Sequence, residues 1–203
     1  MNVRHLIYIM AFLSGFAIMT VEMLGGKILA PWFGGSIYIW GSIISVFLIA
    51  LSAGYLMGGY FSLISPSLRR YGWLFIGSGL TMIPILYFPD YLMNLTFTIT
   101  EDPRYGSLFA AMFLFFIPAI LMGMIAPYSI RLLIQSEAGS GHTAGRLYFT
   151  STLGSALGTI GTAFYFVKFF EINQILFTTI FTLLIPGILC QTSSWKPDEN
   201  TNL

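Results

Sequence analysis

The chain has 203 residues, of which 56% are hydrophobic and only 8% charged, with a formal net charge of +1 and a mean hydropathy of +0.81. Soluble domains carry about a quarter charged residues, so this composition belongs to an integral membrane protein. There is no Lys/Arg cluster beyond Arg69-Arg70 to attract nucleic acid, and Cys190 stands alone, which excludes a disulfide framework and a CxxC metal or redox motif.

A spanning helix needs about 20 mostly apolar residues, and six segments qualify. The first covers residues 6–24. Arg4 before an apolar run resembles a signal peptide, but no small-x-small cleavage site precedes a polar region, so the segment reads as an uncleaved membrane helix. The second, 38–64, is charge-free. The third, 71–88, holds Pro84 and should kink there. The fourth, 107–126, holds Pro118; the fifth is 147–167; the sixth, 172–189, holds Pro186. The fold expected is an all-α polytopic membrane domain over residues 1–190, followed by a short polar tail, 191–203.

Six spans place Arg4, Arg69, Arg70, Arg131, Arg146 and Lys196 on one side and Lys27, Arg104 and Lys168 on the other. Positive residues favour the cytoplasm, so both termini are expected there, in the inner (plasma) membrane. The acidic segment 90–104 is then an outer loop whose apolar middle lies flat at the interface.

Halves 1–100 and 105–190 share features. Ala30-Pro31 follows the first helix as Ala126-Pro127 follows the fourth, and the next helix carries Gly54-x-x-x-Gly58 or Gly154-x-x-x-Gly158. Three spans per half would give a 3+3 inverted repeat, a plan common among transporters. The glycines read as helix-packing positions, where small residues let backbones approach.

Glu22 is the candidate functional residue, because a carboxylate at membrane depth is expensive. A first helix ending near Leu24 would leave it in the last turn, reaching for headgroups. A helix continuing through Gly25-Gly26 would bury it, in need of a partner, a cation or a cavity. Lys27, about 140° around the helix, is a poor partner. Ala30-Pro31-Trp32-Phe33-Gly34-Gly35 reads as a helix breaker, either a re-entrant hinge or an ordinary outer loop. Trp40, Tyr55 and Tyr148 are the aromatic companions, with hydroxyls or π faces to offer a bound molecule. Between the fourth and fifth spans the polar QSEAGSGHTAG lacks the lysine of a phosphate loop, and His142 has no companion ligand; no metal, cofactor or nucleophilic site is expected.

The strings Glu22-Met-Leu-Gly-Gly-Lys-Ile-Leu-Ala-Pro-Trp-Phe-Gly-Gly-Ser-Ile-Tyr-Ile-Trp-Gly and Gly54-Tyr-Leu-Met-Gly-Gly, with the later Met122-Gly-Met-Ile-Ala-Pro127 and Gly145-Arg-Leu-Tyr148, resemble the transmembrane region of the spermidine-synthase-like (fused major-facilitator/spermidine-synthase) membrane proteins. Many of these continue into a soluble aminopropyltransferase-like domain, which this sequence does not contain, so synthase activity does not transfer. The resemblance implies a transporter-like membrane protein for a polyamine or another small cationic metabolite. Glu22 would counter its charge, and Trp40, Tyr55 and Tyr148 would contact it. The alternative is a non-catalytic scaffold or anchor subunit of a larger membrane complex. Implied partners are the lipid bilayer, a second copy or a complex partner, and a separate soluble synthase-like protein.

Overall fold

The computed structural model describes residues 3–134 and 140–192. The first five residues of the polar QSEAGSGHTAG segment, 135–139, and the tail from 193 onward, including Lys196, lie outside the described residues. Every regular element among the described residues is helical.

Helix α1 (Val3–Phe33) runs past the expected end at Leu24 and through Pro31, which lies inside its last turn. The breaker is therefore the glycine that follows: Gly34 takes φ +81°, and its N–H still donates to the Ala30 carbonyl at 2.9 Å. Helix α2 (Ile37–Ser62) is continuous. Ser67 caps α3 (Leu68–Thr81), accepting from the Arg70 N–H at 3.3 Å. Near Pro84, which has no N–H to continue the ladder, the chain breaks into the short α4 (Ile83–Tyr87). Helix α5 (Pro89–Ile99) then leaves the line of Leu68–Tyr87 at 78°.

Asp102 caps α6 (Pro103–Leu133) and accepts from the Arg104 N–H at 2.9 Å, with Pro103 at the favourable first position. Pro118 and Pro127 both lie inside this helix. Helix α7 (Ser140–Ile160) passes into a π-helical turn, Gly161–Phe166, and a final turn, α8 (Val167–Phe169). Helix α9 (Ile172–Gln191) opens with a reciprocal capping box between Glu171 and Gln174.

Among the described residues four helices are long and apolar enough to cross a membrane: α1, α2, α6 and α9. The bent pair Leu68–Tyr87 with Pro89–Ile99 makes a fifth if taken as one span. The fifth expected span, 147–167, does not reach the same apolarity, because α7 carries Thr150, Ser151, Thr152, Ser155 and Thr159 along its length.

Three close helix pairs make the core. In the first, α1 and α7 run parallel. Phe12 meets Gly154, Phe16 meets Gly158, and the Thr162 hydroxyl donates to Thr20 at 3.2 Å. Gly15 lies against the Ser151 carbonyl, so closely that a methyl group there would collide with backbone.

In the second pair, α2 and α6 are also parallel. Ser42 and Ser107 share a hydrogen bond of 3.0 Å, Phe47 packs on Phe115, and Gly54 and Gly58 lie against the Ile120 and Met124 carbonyls. Such contacts replace side-chain burial with backbone dispersion and Cα–H···O attraction, the means by which helices associate in lipid.

In the third pair α3 and α9 are antiparallel. A Cβ on Gly72 would meet the Gly187 carbonyl at 2.6 Å, and one on Gly187 would meet the Gly72 carbonyl at 2.9 Å. Buried Tyr71 ties α3 to α6, with its hydroxyl 2.6 Å from that of Ser129 and its ring stacked on Tyr128.

Candidate functional site

The helix pairs leave a cavity of about 370 Å³ between α1, α2, α6 and α7. Ser14, Ile18 and Met19 line it from α1; Leu51 and Tyr55 from α2; Met122, Ala126 and Pro127 from α6; Tyr148, Ser151, Thr152 and Ser155 from α7. No lining residue carries a formal charge. Its chemistry is that of hydroxyl groups on an apolar wall, within the size range of small-molecule pockets.

Ser14 is the most telling member. Its side chain is 97% buried, being 3% exposed, and its hydroxyl has no hydrogen-bond partner among the described residues. Serine inside a helix usually bonds back to the carbonyl four residues earlier, as Ser78 and Ser129 do here. Ser14 instead presents donor and acceptor capacity to the cavity. Ser155 is partly used, donating to the Gly15 carbonyl at 3.2 Å. Tyr55 and Tyr148 come from different helices to this one space, close enough to interact electrostatically.

The lining is repeated across the two parallel pairs. Ser14 and Met122 each precede a packing glycine, Gly15 or Gly123; Ile18 and Ala126 follow those glycines by the same interval, as do Met19 and Pro127. Leu51 stands to Gly54 as Ser151 to Gly154, and Tyr55 as Ser155. Gly123 even repeats the contact of Gly15, facing the Leu51 carbonyl at 2.9 Å for an added Cβ. In this register Ala126-Pro127 is level with Ile18-Met19, not with Ala30-Pro31. The echo noted between the two Ala-Pro pairs is therefore not structural equivalence, because Pro127 sits mid-helix and Pro31 in a last turn.

Glu22 does not line the cavity, and it is not in a last turn either, since α1 continues for eleven residues beyond it. At about 100° per residue, position 22 falls angularly between Ile18 and Met19, one turn farther along the same helix. The carboxylate thus lies on the cavity-facing side of α1, half-buried, with no ion pair or hydrogen bond among the described residues. Trp40 sits one turn farther still: its ring lies over Gly26, where an added Cβ would meet it at 2.9 Å. The four residues singled out by sequence therefore divide, with Tyr55 and Tyr148 in the cavity and Glu22 and Trp40 along its extension toward the far end of α1.

Sequence reasoning did not single out Ser14, Ser151 or Ser155 as site residues, and Met122 entered only within the quoted family string. The available signal was the density of hydroxyls on α7, which an interhelical contact alone does not require. Among the described residues no group of three or more His, Cys, Asp or Glu side chains is placed to hold a metal ion. No protein-family model, no curated protein and no solved structure matches the chain.

Proposed function

We propose that this chain is a transporter-like membrane protein, built as a 3+3 inverted repeat, that takes a small cationic metabolite of the polyamine type into the cavity between α1, α2, α6 and α7. The observation that carries the reading is the cavity itself, at the seam of two parallel glycine-packed pairs, with the unpartnered Ser14 hydroxyl inside and Glu22 one turn above. Transporter sites of inverted-repeat proteins lie at this seam near the midplane. In the repeat, α1, α2 and α3 would correspond to α6, α7 and α9. Exchanging the halves turns the α1/α7 pair into the α6/α2 pair and maps α3/α9, with its reciprocal Gly72–Gly187 contact, onto itself.

The repeat requires α7 to cross the membrane despite its polarity. Ser151 and Ser155 face α1 and the cavity, Thr150 and Thr159 donate to carbonyls of their own helix, and Thr162 in the π-helical turn donates to Thr20 of α1. Helix α5 would then lie in the outer interface, and both termini in the cytoplasm. Labelling with a membrane-impermeant maleimide tests this in a Cys190→Ala background: Asn94→Cys should react from outside and Gly141→Cys only after permeabilisation. Reaction of both from one side would remove the six-span arrangement.

For the substrate, Glu22 supplies the negative charge along the approach, Trp40 and Tyr55 supply π faces, and the serine and tyrosine hydroxyls take the place of water around the amine. Radiolabelled spermidine uptake into proteoliposomes holding the purified chain should be saturable and lost in Glu22→Gln. Uptake unchanged in that variant would remove Glu22 from the mechanism. A protein co-purifying in stoichiometric amount, with no uptake by the isolated chain, would favour the scaffold-subunit reading. A soluble synthase-like partner would connect that subunit to the spermidine-synthase-like family.

A further inference from the structure

A second opening, of about 580 Å³, lies where α1 and α7 begin, lined by His5, Tyr8, His142, Arg146, Phe149 and Thr150. It gathers both histidines of the chain and an arginine from two helices far apart in sequence, and among the described residues no acidic side chain lines it. The Arg146 guanidinium rests over the Tyr8 ring, 5.7 Å from its centroid, and has no ion pair among the described residues. Thr150 donates to the Arg146 carbonyl at 2.9 Å, so its hydroxyl donor is occupied, leaving the three basic groups and the Tyr8 hydroxyl to meet a ligand. Since α1 and α7 are parallel, Tyr8 and Arg146 both lie about 8 to 9 Å inside the starts of their helices. In the six-span arrangement proposed above, on which this inference rests, that is about the depth of a headgroup layer. Below the basic groups the wall turns apolar, with Phe149 70% exposed, followed by the exposed Leu153 one turn on.

We infer that this groove is a binding site for an anionic phospholipid, with the phosphate held by Arg146, His5 and His142 and the acyl chains running along Phe149 and Leu153. Basic pockets between membrane helices on the cytoplasmic side hold anionic headgroups in this way, and the stacked Arg146 is already ordered by Tyr8. The occupant is a lipid rather than a free phosphate ester because the apolar wall continues directly from the basic rim. The site is independent of the central cavity, which shares none of its lining residues.

Native mass spectrometry of the detergent-purified chain, titrated with phosphatidylglycerol or phosphatidylcholine, tests the inference. Phosphatidylglycerol should be retained preferentially. Arg146→Gln should weaken its retention about fivefold, and the triple variant His5→Gln/His142→Gln/Arg146→Gln should weaken it further. Arg146→Lys should keep most of the affinity, and Arg104→Gln, at the cation–π pair with Tyr38, should change nothing. Should the triple variant melt early without lipid, the single His142→Gln and Arg146→Lys variants give the reading. Equal retention of the two lipids, or full retention by well-folded Arg146→Gln, overturns the site. Displacement of the lipid by soluble glycerol phosphate at matching concentration overturns the lipid assignment.

Discussion

The pairs α1/α7 and α2/α6 are built alike and equipped differently. Each is parallel, each seats two glycines four residues apart on a facing backbone, and each has a cation–π contact near its start, Arg146 on Tyr8 or Arg104 on Tyr38. Only the first carries a mid-helix carboxylate, Glu22, and only the first contains a π-helical turn, Gly161–Phe166, a feature that recurs at functional sites. Packing therefore follows a common scheme in both pairs, while the polar chemistry is concentrated in one. The comparison teaches that the glycines are architecture, and that asymmetry is the guide to function.

The harshest way to break the comparison is to fill a glycine. Gly58→Leu and Gly158→Leu each force a side chain into a facing backbone that cannot yield, and each should cost about 3 kcal/mol or more, read as loss of the monodisperse peak and of the thermal transition in detergent. Equal damage at the two positions supports equivalence of the pairs, and a large inequality would undo it. Gly59→Ala, with open space around it, should stay within about 0.5 kcal/mol.

Glu22→Gln should separate the pairs functionally, reducing spermidine uptake about tenfold or more with no loss of the folded peak. Unaltered uptake would leave the two pairs chemically as well as structurally equivalent. Tyr55→Phe and Tyr148→Phe remove one hydroxyl each from the cavity and should weaken substrate binding by about 1 kcal/mol, or roughly fivefold, measured by scintillation proximity. A small effect is expected inside the α2/α6 pair: Ser42→Ala removes the hydrogen bond to Ser107 and should lower stability by about 1 kcal/mol or less, seen as a small drop in melting temperature.

Much of this was legible in the chain before folding. Charge-free runs and Gly-x-x-x-Gly spacings mark helices and their contact faces, because lipid excludes unpaired backbone and rewards close approach. Helix ends were less legible. Ala30-Pro31 looked like a break, yet a proline near a helix end costs little there, and the stop came from Gly34. The kink near Pro84 was foreseen, but its sequel, the 78° turn into α5, depended on Pro89 restarting a helix in a new direction. Residue 147–167 hydropathy suggested a plain span, whereas α7 is a hydroxyl-rich helix whose polar groups are divided among α1, the cavity and its own backbone.

By itself, then, the sequence determined that the protein is helical and apolar, which glycines can meet a backbone, and that Glu22 is out of place in its surroundings. These are local properties, set by side-chain chemistry and the 3.6-residue period. Which helices meet was decided only in three dimensions. Pairing α1 with α7 and α2 with α6 brings together residues more than a hundred and more than sixty positions apart. It leaves Ser14 without a partner, collects Tyr55 and Tyr148 in one cavity, and sets Glu22 one turn above it. No local pattern encodes those distances, because a cavity is the space that several packed surfaces fail to fill.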